Sequence, residues 1–430
     1  MVKMWRMWSL LAAMLLGGWS AGAFAQAFGE RVSILPNERI ITFQANLTTQ
    51  QRADVVREHG GTVTHDLRLI NAVAARFPSD KSKNLDSILK ARPEVTRVEL
   101  DYRQKWIESS PQALSAVDLP SAGSVVRSMG LRDLLPGFGR RRPKVEPQTP
   151  WGVARVNAPK AWKTTKGGGV KVAVIDTGID YTHPQLAPNV KGGWNFTTAD
   201  TKAYKDDHGH GTHVSGTIAA TVTRNVRNKE QAVWGIAPKA NLYGVKVLDA
   251  GGSGTFADVI AGILWAAENK MDIANMSLGA SRGTPALAEA VTAAVKSGLV
   301  IVAAAGNSGG AVGYPAAYPE MIAVSAIDSS DALARFSSRG PEVDFTAPGV
   351  SVPSTWLDGG YNTISGTSMA CPHVVGLATL AISARRIHGE ATVRDALKGA
   401  ATPLPGLTPD EQGAGLVDAE KLVAKRRRGR

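Results

Sequence analysis

Three short segments carry the side chains with the greatest chemical capacity. Asp176 closes the apolar run VKVAVID and is followed by TG, which puts its carboxylate at the carboxyl end of a strand. His210 opens HGTHVSG, where glycine lets the backbone turn into a helix. Ser368 lies in GTSMACPHVVG, between a glycine and a long run of small residues, at or near a helix N-terminus. There the helix dipole and the unpaired N–H groups favour a developing anion. A serine hydroxyl is a poor nucleophile at neutral pH and needs a neighbouring base with a pKa near 7, which an imidazole can be. A carboxylate behind that imidazole would fix its tautomer and stabilise the cation formed on proton transfer. Singly, each residue has an ordinary reading: Asp176 as a turn-former, Ser368 as a helix cap.

Together, VIDTGID, HGTHVSG and GTSMACPHV resemble the three active-site motifs of the subtilases, the subtilisin family of serine endopeptidases. AAAGNSG gives a fourth match, and GIAPKANLYGVKVL and FSSRGPEVDFTAPG extend the similarity over about residues 148–420. The ordinary readings do not explain four motifs in one family's order, which is also the Asp, His, Ser order. The resemblance implies Asp176, His210 and Ser368 as the catalytic residues. It also implies the Asn307 side-chain amide and the Ser368 backbone N–H as oxyanion donors. One such donor is worth about 10²–10³ in turnover. Thr367 beside the nucleophile would add a supporting hydroxyl.

By the same resemblance, Gly252, Ser253, Gly254 and Ser277, Leu278, Gly279 flank the cleft as extended segments that pair with a substrate backbone. The primary pocket would lie between Ser277–Gly279 and Ala304, Ala305, Gly306, with Ser308 and Gly313 near its base. None of these residues is charged, so a large apolar or aromatic residue is expected before the scissile bond. The alternative within the class, a narrow processing protease, fits less well, because an uncharged pocket argues against cutting at basic pairs. Tyr314-Pro315 matches a place where the family holds a cis peptide bond.

Metal chemistry is weakly supported. His208, His210 and His213 form H-x-H-x-x-H, but no H-E-x-x-H occurs, which disfavours a zinc peptidase. His213 and His373 read as packed helix residues, and Cys371 as a small buried side chain. No cofactor is required for the chemistry. Structural calcium is left open: the family's tight site takes a carboxylate from H-P-D-L, whereas His183-Pro184-Gln185-Leu186 has glutamine. The loop that would supply the remaining ligands, TVTRNVRNKEQAV, is long and basic. Asp344 matches a ligand of the family's weaker cation site. Asp200, Asp206 and Asp207 read as a solvated acidic turn, or else as a further cation site.

The elements that must position these residues are legible by period. From 150 to about 420, strand-like apolar runs (VKVAVID, LYGVKVL, IANMSL, VIVAAAG) alternate with helical ones (HVSGTIAATV, FADVIAGILWAAEN, PALAEAVTAAVKSG). The pattern predicts an α/β fold, a doubly wound and mostly parallel sheet with its site at the strands' carboxyl ends. Residues 38–105 predict a small α+β unit of two helices on one face of an antiparallel sheet, with Thr48 or Thr49 as a helix cap. By resemblance, residues 30–107 are an inhibitory propeptide.

Residues 108–148 are rich in Pro, Ser and Gly and read as a linker containing the processing region. Lys3 and Arg6 precede an apolar stretch and then Ala23-Phe24-Ala25, so residues 1–25 are expected to be a signal peptide cleaved before Gln26. No other segment approaches ~18 consecutive apolar residues, so no stable membrane anchor is expected. The protein is expected to be secreted, into the medium or the periplasm, and monomeric. Its partners would be protein or peptide substrates and its own propeptide.

The chain has 430 residues with 49 basic and 37 acidic side chains, a net charge of +12 that invites a polyanion-binding reading. The distribution answers it. Residues 1–149 hold 21 basic and 14 acidic side chains, residues 150–424 hold 23 of each, and 425–430 add five basic ones. The 149–424 unit is therefore neutral, and no nucleic-acid partner is expected. A single cysteine excludes internal disulfides. A catalytically silent binding module is disfavoured by the intact Asp176, His210, Ser368 and Asn307.

Overall fold

A five-stranded sheet, a nine-stranded sheet and a two-stranded hairpin organise the computed structural model, which describes residues 32–81, 84–107, 147–222 and 231–424. The signal segment 1–25, nearly all of the linker and the basic tail lie outside the described residues.

The N-terminal unit runs β1 (Val32–Phe43), α1 (Thr49–Glu58), β2 (Thr62–Leu67), β3 (Ala72–Arg76), α2 (Leu85–Lys90) and β4 (Val95–Lys105). The strands pair antiparallel in the order β2-β3-β1-β4. Thr48 is the cap of α1: its hydroxyl accepts the Gln51 N–H at 3.2 Å, and Gln51 Oε1 accepts the Thr48 N–H at 2.9 Å. Such a capping box stabilises a helix by about 1 kcal/mol. Alternation in β1 sends Ile41 and Phe43 toward Val55, Val56, Leu85 and Leu89 of the two helices. Ile40, with Ala72 and Ala74 of β3, joins a different core on the opposite face. Strand β2 was not anticipated, because TVTHDL is largely polar and sits at the sheet edge.

The larger unit contains β5 (Lys171–Asp176), β6 (Val190–Asn195), α3 (His210–Ala219), β7 (Asn241–Lys246), β8 (Ser253–Thr255), α4 (Phe256–Glu268), β9 (Ile273–Met276), α5 (Pro285–Lys296) and β10 (Val300–Ala304). It continues with β11 (Ile322–Ile327), β12 (Val343–Pro348), β13 (Val352–Thr355), β14 (Tyr361–Ile364), α6 (Thr367–Arg385), β15 (Ala401–Thr402) and β16 (Leu416–Val417). Nine strands form one sheet in the order β15-β16-β12-β11-β10-β9-β5-β7-β6, parallel except for the β15–β16 pair. Its two faces have separate cores. Val172 and Val174 of β5 pack on the side of α3 and α6, while Ala173 and Ile175 pack on the side of α4 and α5. Burying each of these Val or Ile side chains contributes roughly 1.5–3 kcal/mol.

Helix α6 is the one described helix long and apolar enough to cross a membrane. Its residues from Thr367 to Ile382 are all buried within the fold, so it is the central core helix. The core of the larger unit faces the N-terminal unit too: Ile40, Leu67 and Ile70 pack with Phe256 and Ile260. Strand β4 adds antiparallel to β8, with Gln104 opposite Gly254. That addition joins the two units, because β8 belongs to the larger unit but pairs only with β4.

Candidate active site

Asp176 ends β5, and its backbone carbonyl accepts the N–H groups of Val247 and Leu248 at 2.9 and 3.2 Å, which fixes the strand's terminus. Its buried carboxylate accepts His210 Nδ1–H, at 2.8 Å to Oδ1 and 3.0 Å to Oδ2. Since a carboxylate only accepts, Nδ1 carries the proton and Nε2 is left as the basic nitrogen. Nε2 is buried and has no partner among the described residues. Burial pushes the His210 pKa down, but the adjacent Asp176 charge, its hydrogen bond and the more distant Asp206 outweigh this, so the pKa is raised above the ordinary value. His210 is the first residue of α3. Gly209 precedes it at φ 102°, and a side chain there would meet the Trp356 ring at 2.4 Å.

Ser368 is in the first turn of α6, where a backbone N–H has no carbonyl four residues back. Pro372, inside the helix, has no N–H to give to the Ser368 carbonyl; the Ser277 hydroxyl donates to it instead at 2.8 Å. Ser368 Oγ donates to the Ser277 carbonyl at 3.1 Å. The two serines therefore bind each other reciprocally, which locks the start of α6 to the end of β9. Asn307 Oδ1 accepts the Thr367 N–H at 2.9 Å and the Thr367 hydroxyl at 3.0 Å. With its oxygen so occupied, the amide presents Nδ2 outward. A Cβ placed on Gly366 would lie 3.5 Å from Asn307 Nδ2 and 3.6 Å from Ser368 N. Both N–H donors thus border one small space that glycine leaves open. Thr367 acts by orienting Asn307, and its oxygen also accepts the Gly306 N–H at 3.1 Å.

Beside Ser368 lies a cavity of about 290 Å³. Leu278, Gly279, Ala304, Gly306, Ser308 and Gly313 contribute to its wall, which contains no charged side chain. Ala305 is buried just beyond β10, its N–H bonded to the Val324 carbonyl at 2.9 Å. Tyr314-Pro315 is cis. Ser253 and Gly254 of β8, with Gly252 just before them, are already paired by β4. Trp106 follows β4: its N–H donates to the Gly252 carbonyl at 3.0 Å, its indole to the Gly254 carbonyl at 3.0 Å, and its own carbonyl accepts the Gly279 N–H at 3.0 Å. The end of the N-terminal unit is therefore held between both predicted cleft segments.

Alongside this geometry, the subtilase family model matches residues 167–415. The chain is 40% identical to subtilisin E of Bacillus subtilis (strain 168) over 389 residues, 88% of each chain. This protein belongs to the subtilase family. It is also 49% identical to the subtilisin of Bacillus pumilus over 261 residues, covering 59% of this chain and 92% of that one. Subtilisin Savinase of Lederbergia lenta is 45% identical over 273 residues, covering 63% and 97%. As a subtilase, the chain is a serine endopeptidase with the expected, largely parallel α/β fold.

In this subtilase the candidate cation ligands are engaged by the protein's own groups. Asp344 is not open to a metal: Arg394 pairs with its carboxylate, which also accepts the Ala323 N–H at 3.1 Å. Gln185 is fully buried, with Nε2 donating to the carbonyls of Val233 at 2.7 Å and Thr221 at 3.2 Å, and Oε1 accepting the Val233 N–H at 3.1 Å. Here the carbonyls already accept from an NH₂ group and no carboxylate is supplied, so these residues do not fit calcium. Asp200, Asp206 and Asp207 do not converge. Asp200 accepts the N–H of Lys202, Asp206 is buried among backbone donors, and Asp207 pairs with Lys246. Among the described residues, no group of three metal-ligating side chains occurs.

His213, His373 and Cys371 are buried structural residues. His213 Nε2 donates to the Val352 carbonyl at 3.0 Å, and burial, then the nearby His210, pushes its pKa down to about 3. Burial pushes His373 down to about 4 and Cys371 up to about 12. Trp106 and Gly366 were not singled out from the sequence. A tryptophan ending a strand just before a Pro/Ser-rich segment was the available signal for the first, and the glycine two residues before the nucleophile for the second.

Proposed function

We propose that this subtilase is exported as a zymogen and hydrolyses peptide bonds through Asp176, His210 and Ser368. The observation that carries the reading is the His210 ring, held through Nδ1 by Asp176 at 2.8 Å while buried Nε2 is unpartnered. Ser368 Oγ turns from the Ser277 carbonyl, gives its proton to Nε2 and bonds the scissile carbonyl carbon. The Asp176 charge stabilises the imidazolium, and Asn307 Nδ2 with the Ser368 N–H receives the oxyanion. His210 then returns the proton to the leaving amine as the C–N bond breaks. Water, deprotonated by the same nitrogen, then bonds the acyl carbon, and His210 returns that proton to Ser368 Oγ as the ester bond breaks. No step needs a cofactor.

Residues 30–107 act as the inhibitory propeptide, because Trp106 and β4 already occupy the edges a substrate backbone would use. Arg68–Glu268 at 2.6 Å, Arg97–Glu289 at 2.6 Å and Arg103–Asp249 set basic residues of that segment against acidic ones of the larger unit. Part of the N-terminal charge excess thus serves this contact. The uncharged cavity favours a large apolar or aromatic residue before the scissile bond, and broad use of protein substrates. Replacing Ser368 with alanine tests the reading: the secreted variant stays full-length and inactive. Normal maturation of that variant overturns self-processing.

A further inference from the structure

We propose that Thr177 is a positioning residue for the Asp176 carboxylate, gripped by a buried pair of opposite charges, Asp206 and Lys246. The inference rests on the triad reading above.

Thr177 follows Asp176 directly, and each of its polar groups is engaged. Its N–H donates to Asp176 Oδ1 at 2.7 Å, and its hydroxyl donates to Asp206 Oδ1 at 2.8 Å. The same hydroxyl oxygen accepts the Gly211 N–H at 3.0 Å, and its carbonyl accepts Lys246 Nζ at 2.8 Å. The anion therefore holds the side chain and the cation holds the carbonyl of a single residue. Thr177 cannot rotate without breaking a charge-assisted hydrogen bond on each side. Its N–H is aimed at Oδ1, the carboxylate oxygen that lies closest to His210 Nδ1. Holding that N–H still holds the carboxylate's plane, and with it the imidazole.

The gripping groups belong to the elements that carry the triad. Lys246 ends β7 directly opposite Asp176 on β5, and Nζ also donates to the Leu248 carbonyl at 2.9 Å and to Asp207 at 2.7 Å. The buried Asp206 carboxylate additionally accepts the N–H groups of His208 and Gly209 at 2.9 Å each. It also accepts the N–H and hydroxyl of Thr212, at 2.8 and 2.6 Å. These donors bracket His210, so one carboxylate sets both the Asp176 turn and the start of α3. A buried charge is tolerable only when its hydrogen bonds are made, and here each oxygen takes at least two.

The charged and titratable groups facing His210 are Asp176 from β5, Asp206 and His208 from the preceding turn, and His213 from its own helix. The two carboxylates favour the imidazolium. The two histidines are driven toward neutrality, His208 by burial and then by His210 itself. Asp206 thus acts on His210 both through Thr177 and through space.

The test uses Thr177→Val, Thr177→Ser and Asp206→Asn in the mature enzyme, each rate divided by the Ser368 sites titrated with a fluorophosphonate. Thr177→Val lowers kcat about ten- to a hundredfold with KM little changed, as expected for a misaligned catalytic group. Thr177→Ser, which keeps the hydroxyl, restores kcat. Asp206→Asn moves the acid limb of kcat/KM to lower pH, because removing its charge lowers the His210 pKa. Wild-type kcat in Thr177→Val overturns the proposal, as does an acid limb in Asp206→Asn that stays where it was. If Asp206→Asn does not fold, the Val/Ser pair decides alone. A wild-type enzyme whose Ser368 is not labelled overturns the triad reading itself, whereas labelled wild type with an unaffected Thr177→Val overturns only this inference.

Discussion

The Gly279 N–H donates to the Trp106 carbonyl at 3.0 Å, bridging the N-terminal unit to the segment that forms one wall of the cavity beside Ser368. The indole meanwhile packs on Phe256 with ring centroids 4.8 Å apart and is almost wholly buried. A buried aromatic anchor at the centre of a contact contributes most of its grip, commonly 2 kcal/mol or more. Trp106→Ala should therefore raise the rate at which a fluorophosphonate reaches Ser368 in the unprocessed chain by about tenfold or more. An unchanged rate places the grip elsewhere.

That grip should also weaken as pH rises. Burial, then the nearby Asp258 charge, pushes Asp101 up to about 7. Burial lowers the His65 pKa, but its hydrogen bond to Asp258, 3.3 Å away, and that residue's charge raise it overall. Both pKa values are raised in the docked state, so both groups favour docking when protonated. Asp101's contribution fades from about pH 4 to about pH 7, and His65's fades from pH 6.5 upward. Dissociation of the cleaved N-terminal segment at fixed salt, measured by gel filtration, should increase from pH 5 to pH 8. Tighter association at pH 8 contradicts this.

Gly366 has a role beyond the turn into α6. A methyl group there would stand within 3.6 Å of both Asn307 Nδ2 and Ser368 N, the two donors proposed for the oxyanion. Gly366→Ala should lower kcat by about 10²–10³ with KM little changed, the cost of losing one oxyanion donor. A proportional rise in KM at constant kcat would instead mean that the methyl group obstructs substrate binding.

The Gln185 amide supplies an internal alternative to a bound cation. Its removal in Gln185→Leu leaves the Val233 N–H and two carbonyls without their partner, costing about 1–3 kcal/mol. The melting midpoint should fall by several degrees, and added calcium should not restore it. Recovery of the midpoint with calcium would mean that a cation competes for these carbonyls.

Much of this arrangement was legible in the sequence, for identifiable reasons. Asp176, His210, Ser368 and Asn307 lie in contiguous motifs, and β5, β7, β9 and β10 are apolar on both faces because helices cover both. Strands β2 and β6 were not legible: TVTHDL and VKGGWN sit at sheet edges, where little burial constrains composition. The Gln185 substitution signalled an altered cation site, but its replacement bonds depend on carbonyls 36 and 48 residues away. Likewise, Asp206 read as part of a solvated acidic turn because the Thr177 hydroxyl, 29 residues away, reaches it only through the fold. Asp344 matched a family position, yet Arg394, 50 residues later, is what neutralises it.

Mass spectrometry of the mature secreted enzyme after fluorophosphonate treatment tests the central claim most directly. The account predicts one adduct, on Ser368, on a chain whose N-terminus lies beyond residue 107, with labelling that diminishes as His210 is protonated. An adduct on another residue, or an active enzyme without an adduct on Ser368, would contradict it.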